Sequence, residues 1–418
     1  MIFPSLSSLV FTGILTTTLL AGGTVIAFDA ETKSLQVIQN GPVLVVEDRI
    51  EAVCSGQYNR TFPSNLDIVN TTGDIITPGF IDTHHHSWQT AYKTIASNTI
   101  LAEYFDRYGE FAVTWEYSPE DVYISQLAGL HETMNAGTTD PGLAASIDSG
   151  ARMFRCYTFH NVMNYTFPEH MDKFEEIANS GRFNGTATSL GIAYDEFNPG
   201  SLAQIQKVIE LARKYKVSVI TTHSFQGIWR ASNSPEDLNA PGILSTAIPV
   251  AALGVDVRFT YSTDILTQAR LWHQSTRLAF YRWVLQNWKI PAHNPMSVDQ
   301  AILLATRKGG LALRRPDLGI IAVGTNADVV ARDGSTPGML GWDDPVAAII
   351  LHANVGDIKH VLVDDRFLAT ASKIQAIWKA KAYPVSEGEF PESGFAYSRV
   401  PLSNTQRGEG DEYGEQFL

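Results

Sequence analysis

IITPGFIDTHHHSWQ, residues 75–89, is the stretch that decides the reading of this chain. A short β-branched run, Ile75-Ile76, meets Pro78-Gly79, and Phe80-Ile81 carry the strand on to Asp82. Then come His84, His85 and His86. Alternate residues of a strand point to the same side, so His84 and His86 share a side and His85 points away. Two imidazoles so placed at a strand end form a claw for a borderline metal such as zinc. A surface His tract is the bland alternative, and the Pro-Gly-apolar-apolar-Asp lead-in argues against it.

PGFIDTHHH resembles the first-strand signature of the metal-dependent amidohydrolase superfamily, Pro-Gly-x-x-Asp-x-His-x-His. The resemblance is closest to the branch of cytosine deaminases, chlorohydrolases and related cyclic amide and amidine hydrolases. It implies a (β/α)8 TIM barrel with His84 and His86 as metal ligands at the C-terminal end of strand one. It also implies a small β-sandwich domain built from both chain ends.

The chain outward from this motif agrees. Strand-like and helix-like segments alternate from Met153 to Ser224, the mark of a parallel sheet with crossover helices. Ser118-Pro119 is a helix start, with Ser as N-cap and Pro at the first position. Tyr104, Phe105, Tyr108, Phe111, Trp115 and Tyr117 fall on the connection after strand one, and read as packing before pocket lining. LLAGGTVIAFD reads as one strand, and LQVIQNGPVLVVEDRIEAV as two more, with turns at Asn40-Gly41 and Glu47-Asp48. Gly324 to Val330 resembles the family's return into the β-domain. The domains are thus residues 1–18, an apolar leader; 19–75 with 318–385, the β-domain; 76–317, the barrel; and 386–418, a polar tail read as disordered.

His223 ends a β-branched strand and matches the family's strand-five metal ligand. Asp264, closing VRFTYSTDI, matches the strand-eight residue that binds metal and carries the proton. His-x-x-Glu follows strand five in many deaminases of this branch; here Gln226 stands in the Glu position, a candidate for substrate contact that cannot exchange a proton. No Lys follows Tyr194-Asp195-Glu196, so the resemblance implies one divalent ion, zinc or else iron(II), rather than two.

Forty-one positions separate His223 from Asp264, room for one strand-helix-strand unit of roughly 30 residues where the family places three steps. The strand-six His has no candidate between them. The barrel is therefore expected to be incomplete, through an internal deletion or a wrongly spliced gene.

A formal charge of −13 argues against nucleic acid or an anionic membrane as partner. Two cysteines make neither a disulfide framework nor a thiolate zinc site. The apolar stretch Ile2 to Leu20 lacks a basic lead-in and is broken by Pro4 and Gly13, so a cytoplasmic protein is expected, with secretion or membrane anchoring as the alternative. The function expected is metal-dependent hydrolysis of a non-peptide C–N bond in a small cyclic amide, amidine or aminated heterocycle, by a chain able to form homo-oligomers. The alternative is an impaired or inactive relative with a binding role or none.

Overall fold

The computed structural model describes residues 17–56, 66–99, 101–113, 117–140, 146–149, 151–160, 165–197, 201–222, 252–363 and 366–367. The chain divides into two compact units, Met1–Ser97 with Ser118–Tyr383, and Asn98–Tyr117 with Pro384–Leu418. In the second, the described elements are the short helices Leu101–Arg107 and Glu110–Val113. Tyr104 and Tyr108 belong to it and are buried.

The first unit opens with β1 (Thr17–Asp29), β2 (Ser34–Val46), β3 (Arg49–Val53), β4 (Leu66–Asn70) and β5 (Asp74–Pro78). The parallel strands β6 (Phe80–Ile81), β7 (Thr138–Asp140), β8 (Met153–Thr158), β9 (Thr188–Ala193) and β10 (Ile220–Thr221) follow. The chain then returns through β11 (Val329–Asp333), β12 (Ile358–Val363) and β13 (Arg366–Phe367). Both ends share one eight-stranded mixed sheet, ordered β13-β12-β11-β5-β1-β2-β3, with β4 on β1. The N-terminal half of β1 pairs with β4 and the C-terminal half with β5.

Asn40-Gly41 is not a hairpin turn. β2 runs through it, with Asn40 at φ +51° and Gly23 facing Gly41 where the β1–β2 register shifts. The left-handed residue that would serve a tight turn serves a bulge here. The hairpin turn falls instead at Ala30–Lys33, and the Glu47-Asp48 turn stands as expected.

Among the described residues, the parallel strands form two ladders, β6-β7 and β10-β9-β8. Alternation on β8 sends Phe154 toward Ile81 and Val219, while Met153 packs with Leu130 and Met134 of the helix Pro119–Asn135. That helix starts as expected, in a capping box of Ser118 and Asp121 with Pro119 at the first position. Tyr157 and Ile192 meet the helices Phe167–Asn179 and Leu202–Lys214 through Phe174, Val208 and Leu211. Ile75 and Phe80 belong to the apolar cluster that also holds Ile265 and Leu266 of the helix Ile265–Gln286 and Ala301 and Ile302 of the helix Val298–Ala305. No helix among the described residues is long and apolar enough to cross a membrane.

Gly79 is the pivot from sheet to parallel strand. A Cβ there would lie 2.0 Å from Thr139 Oγ1, so only glycine permits β5 to pass into β6 against β7. The Gly79 amide donates to Asp328 O and the Phe80 amide to Gly137 O. Buried arginines fasten the same junction. Arg152 forks onto Asp328 at 2.7 and 3.3 Å, and Arg332 donates to Thr77 Oγ1 with its guanidinium 4.7 Å over the Phe80 ring.

Arg315 donates two bonds of 2.8 Å to the Asp317 carboxylate, and Arg49 a third at 3.2 Å, tying the start of β3 to the approach to β11. The Arg315 hydrogen bonds outweigh partial burial and hold Asp317 down at about 2. A carboxylate with a depressed folded-state pKa contributes stability above its unfolded value, near ~3.9, and loses it as pH falls toward ~2. Asp317→Asn should therefore cost about 1–2 kcal/mol at neutral pH, and the gap to wild type should close between about pH 4 and pH 2. Urea midpoints measured across that range check this.

Candidate metal centre

The strand-one end and the segment Leu253–Asp256 lie side by side. The Thr83 amide and Oγ1 both donate to Leu253 O, at 3.0 and 2.9 Å. The Asp256 amide donates to His84 O and the His86 amide to Asp256 O, each at 2.8 Å, so His85 and Asp256 form a parallel bridge. Gly254 allows this approach, since a Cβ would sit 2.9 Å from His84 O.

Asp82 locks the two segments with one carboxylate. Oδ1 accepts the Val255 amide at 3.1 Å and the His84 amide at 3.2 Å, and Oδ2 takes His85 Nδ1 at 2.8 Å. Burial opposes the charge on Asp82, but His85, Arg258 and the Val255 amide together hold its pKa below the ordinary carboxylate value. Burial and the Arg258 charge push His85 down to about 4. His85 is therefore neutral at physiological pH. Because ionised Asp82 only accepts, the ring proton sits on Nδ1. Arg258, buried behind the pair, donates to Gly129 O at 2.7 Å.

With His85 turned inward, His84 and His86 stand on the other side, their rings 5.0 Å apart and nearly perpendicular. Their Nε2 atoms converge on one oxygen, Asp256 Oδ1, at 3.2 and 3.3 Å. Ligand atoms on a tetrahedral ion with bonds of ~2.0–2.1 Å lie ~3.3 Å apart, so the spacing is that of a first coordination sphere. Burial works against the charged form of His84, yet the hydrogen bond and charge of Asp256 hold its pKa above the ordinary value. Desolvation would raise Asp256, and the bonds from His84 and His86 overcome it and pull it well down. The Asp256 side chain remains 56% exposed, open to an incoming molecule.

The structure brings Asp256, and not Asp264, to the imidazole pair. Asp264 caps the helix Ile265–Gln286: Oδ1 accepts the Leu266 amide at 2.9 Å and Oδ2 the Thr267 hydroxyl at 2.7 Å. The expected strand VRFTYSTDI is not formed: a single bridge at Asp256 immediately precedes it, and turns and bends lead from there to the helix that starts at Ile265. The signal for Asp256 lay in the sequence, since the apolar run 251–255 ends immediately before it, the position where a barrel strand presents chemistry. Ser262-Thr263-Asp264, directly before a helix, is a capping pattern. His223, Gln226 and the interval expected to lack strand six lie outside the described residues.

No family profile matches the chain. A 5-methylthioadenosine/S-adenosylhomocysteine deaminase of Syntrophus aciditrophicus is 30% identical over 122 residues, 29% of this chain and 27% of that protein. The enzyme of the same name from Bacillus cereus is 23% identical over 180 residues, 43% of this chain and 35% of that protein. The chain thus matches about a quarter to a third of these curated relatives' length. Among solved structures, an adenosine deaminase from Xanthomonas campestris with bound zinc superimposes with a TM-score of 0.71 at 16% identity, covering 87% of this chain and 97% of the other. A zinc complex of atrazine chlorohydrolase from Arthrobacter aurescens gives 0.70 at 16% identity, covering 87% and 99%. In fold the chain is similar to these zinc-bound enzymes, and over part of its sequence to the curated deaminases. The superpositions show the fold; the geometry around Asp82 gives the local arrangement of the candidate ligands.

Asp82→Ala would leave the buried Val255 amide and His85 Nδ1 without an acceptor. The expected loss of stability is about 2–4 kcal/mol, at ~1–3 per orphaned group, with Asp82→Asn milder because it keeps an acceptor for the amide. Thermal unfolding of the two variants beside wild type measures this.

Proposed function

We propose that this protein is an amidohydrolase-type, metal-dependent hydrolase that cleaves a carbon–nitrogen bond of a small cyclic amide, amidine or aminated heterocycle. The observation that carries the reading is the convergence of His84 and His86 Nε2 on Asp256 Oδ1 at the C-terminal end of a parallel strand. Two imidazoles and a carboxylate at this spacing are a donor set for zinc, with iron(II) as the alternative. His84, His86 and Asp256 would hold the ion, and His223, at a strand end in sequence, is proposed as the further ligand. The ion, when bound, supplies Lewis-acid activation of water and of the carbon under attack.

The chain's own residues do the rest. Asp256 needs one oxygen for the ion, which leaves the other to accept a proton from the attacking water. It then returns that proton to the departing nitrogen as the C–N bond breaks. The carboxylate is ionised and so can accept a proton, and its side chain is more than half exposed. With Gln226 in the Glu position after His223, proton transfer falls to Asp256 alone. Asp82 and His85 keep the ligand-bearing segments in register from behind. The parallel strands are proposed as part of a (β/α)8 barrel short of its sixth and seventh strands, and the mixed sheet as its companion β-sandwich domain. The resemblance to deaminases of adenosine-type compounds supports an aminated purine-like ring as the first substrate class to test.

His84→Ala and His86→Ala should each remove most bound zinc, as metal analysis of the purified proteins will read. Asp256→Asn should lower kcat on an aminated heterocycle by ~10²–10⁴, the usual worth of a positioned acid–base group. Ammonia release across a panel of such rings tests the reading. Zinc-loaded wild type that hydrolyses no C–N bond in the panel would sink it.

A further inference from the structure

A second cleft lies away from the metal centre, on the helix-covered side of β8. It encloses about 790 Å³ between the helices Pro119–Asn135 and Phe167–Asn179 and the turn that follows the latter. Arg155 of β8 lines it. Alternation along β8 puts Arg155 on the same side as Met153 and Tyr157. Both neighbours are packed in apolar clusters, Met153 against Leu130 and Met134 and Tyr157 against Phe174. A cation at the middle position of such a face is out of keeping with its surroundings. Burial lowers the Arg155 pKa, and the charge that adds to the effect is another guanidinium, Arg182. Among the described residues, no carboxylate pairs with either arginine. Lys173 also lines the cleft and is bonded to Glu176 at 2.8 and 2.9 Å, so three cations face one acid that is already engaged.

A half-buried guanidinium with the exposed Arg182 as its like-charged neighbour is costly unless an anion joins them. A guanidinium presents a rigid fork of donors suited to the paired oxygens of a phosphate, and two converging forks suit it better. The remaining walls include Tyr123, Ile147 and Phe183, an apolar surface fit for a flat ring. We propose that this cleft is a binding site for a phosphomonoester carried on an aromatic ring, with Arg155 and Arg182 holding the phosphate. It is separate from the metal centre, since Arg155 faces the helix side of β8 while the ligand imidazoles stand at the end of strand one. It does not depend on the proposed hydrolytic activity.

Calorimetric titration of the full chain with phenyl phosphate, inorganic phosphate and phenol tests the assignment. Phenyl phosphate should bind, and more tightly than inorganic phosphate or phenol, because it alone fills both halves of the cleft. Arg155→Met and Arg182→Gln should each weaken that binding at least tenfold, as expected for loss of a charge-assisted bond worth ~1.5–3 kcal/mol. His84→Ala should leave it unchanged, which separates this cleft from the metal centre. Arg155→Met should also match or exceed wild type in thermal midpoint, because it removes a half-buried charge that has no acid partner among the described residues. Absence of phenyl phosphate binding at millimolar concentration would overturn the proposal. So would equal affinity in Arg155→Met, or loss of binding in His84→Ala.

Discussion

The interlocking of Asp82 with the segment Leu253–Asp256 is the constraint on which the rest of this protein depends. One buried carboxylate accepts two backbone amides, from His84 and Val255, and one imidazole, from His85. Those bonds join parts of the chain some 170 residues apart in sequence. They also decide which of three consecutive histidines look inward. Once His85 is bonded to Asp82, strand alternation leaves His84 and His86 to meet Asp256. The register of a four-residue contact is thereby converted into a ligand set.

The charges at this junction are balanced in layers. Asp82 is ionised in a buried setting, with the buried Arg258 behind it and a neutral His85 in front. Asp256, by contrast, is exposed and faces the two imidazoles. A buried acid whose oxygens are both engaged builds a scaffold, and an exposed carboxylate is open to other groups. The two aspartates differ in role because their surroundings differ. Further out, Arg152 with Asp328 and Arg332 over Phe80 fasten the mixed sheet to strand one, so that the sheet made from both chain ends supports the ligand-bearing loop.

The outer face of β8 shows the opposite economy. Met153 is buried and Tyr157 half-buried among apolar partners, while Arg155 between them has no acid partner among the described residues. A stable fold tolerates such a residue at a cost, and departures of this kind from a consistent apolar pattern gather where a chain binds something.

The sequence by itself carried the superfamily resemblance and the paired histidines His84 and His86. Pro-Gly-x-x-Asp-x-His-x-His is local: glycine at 79 where a strand must pass Thr139, and period-two alternation that separates His85 from its neighbours, are both written in adjacent residues. Helix starts such as Ser118-Pro119 were legible for the same reason, because a cap bonds within one turn. The third candidate ligand was not legible in this way. Asp256 and Asp264 both follow apolar or β-branched residues, and the family resemblance pointed to the second. Only the tertiary structure separated them, because Asp264 finds its partners two and three residues ahead in a helix cap, while Asp256 finds its partners across the chain at His84 and His86. Asn40-Gly41 turned out differently for a related reason. Its positive φ suits a turn or a bulge equally, and the pairing of Gly41 with Gly23 on β1 made it a bulge. Local geometry is encoded by neighbours; which distant strand arrives beside them is set by packing.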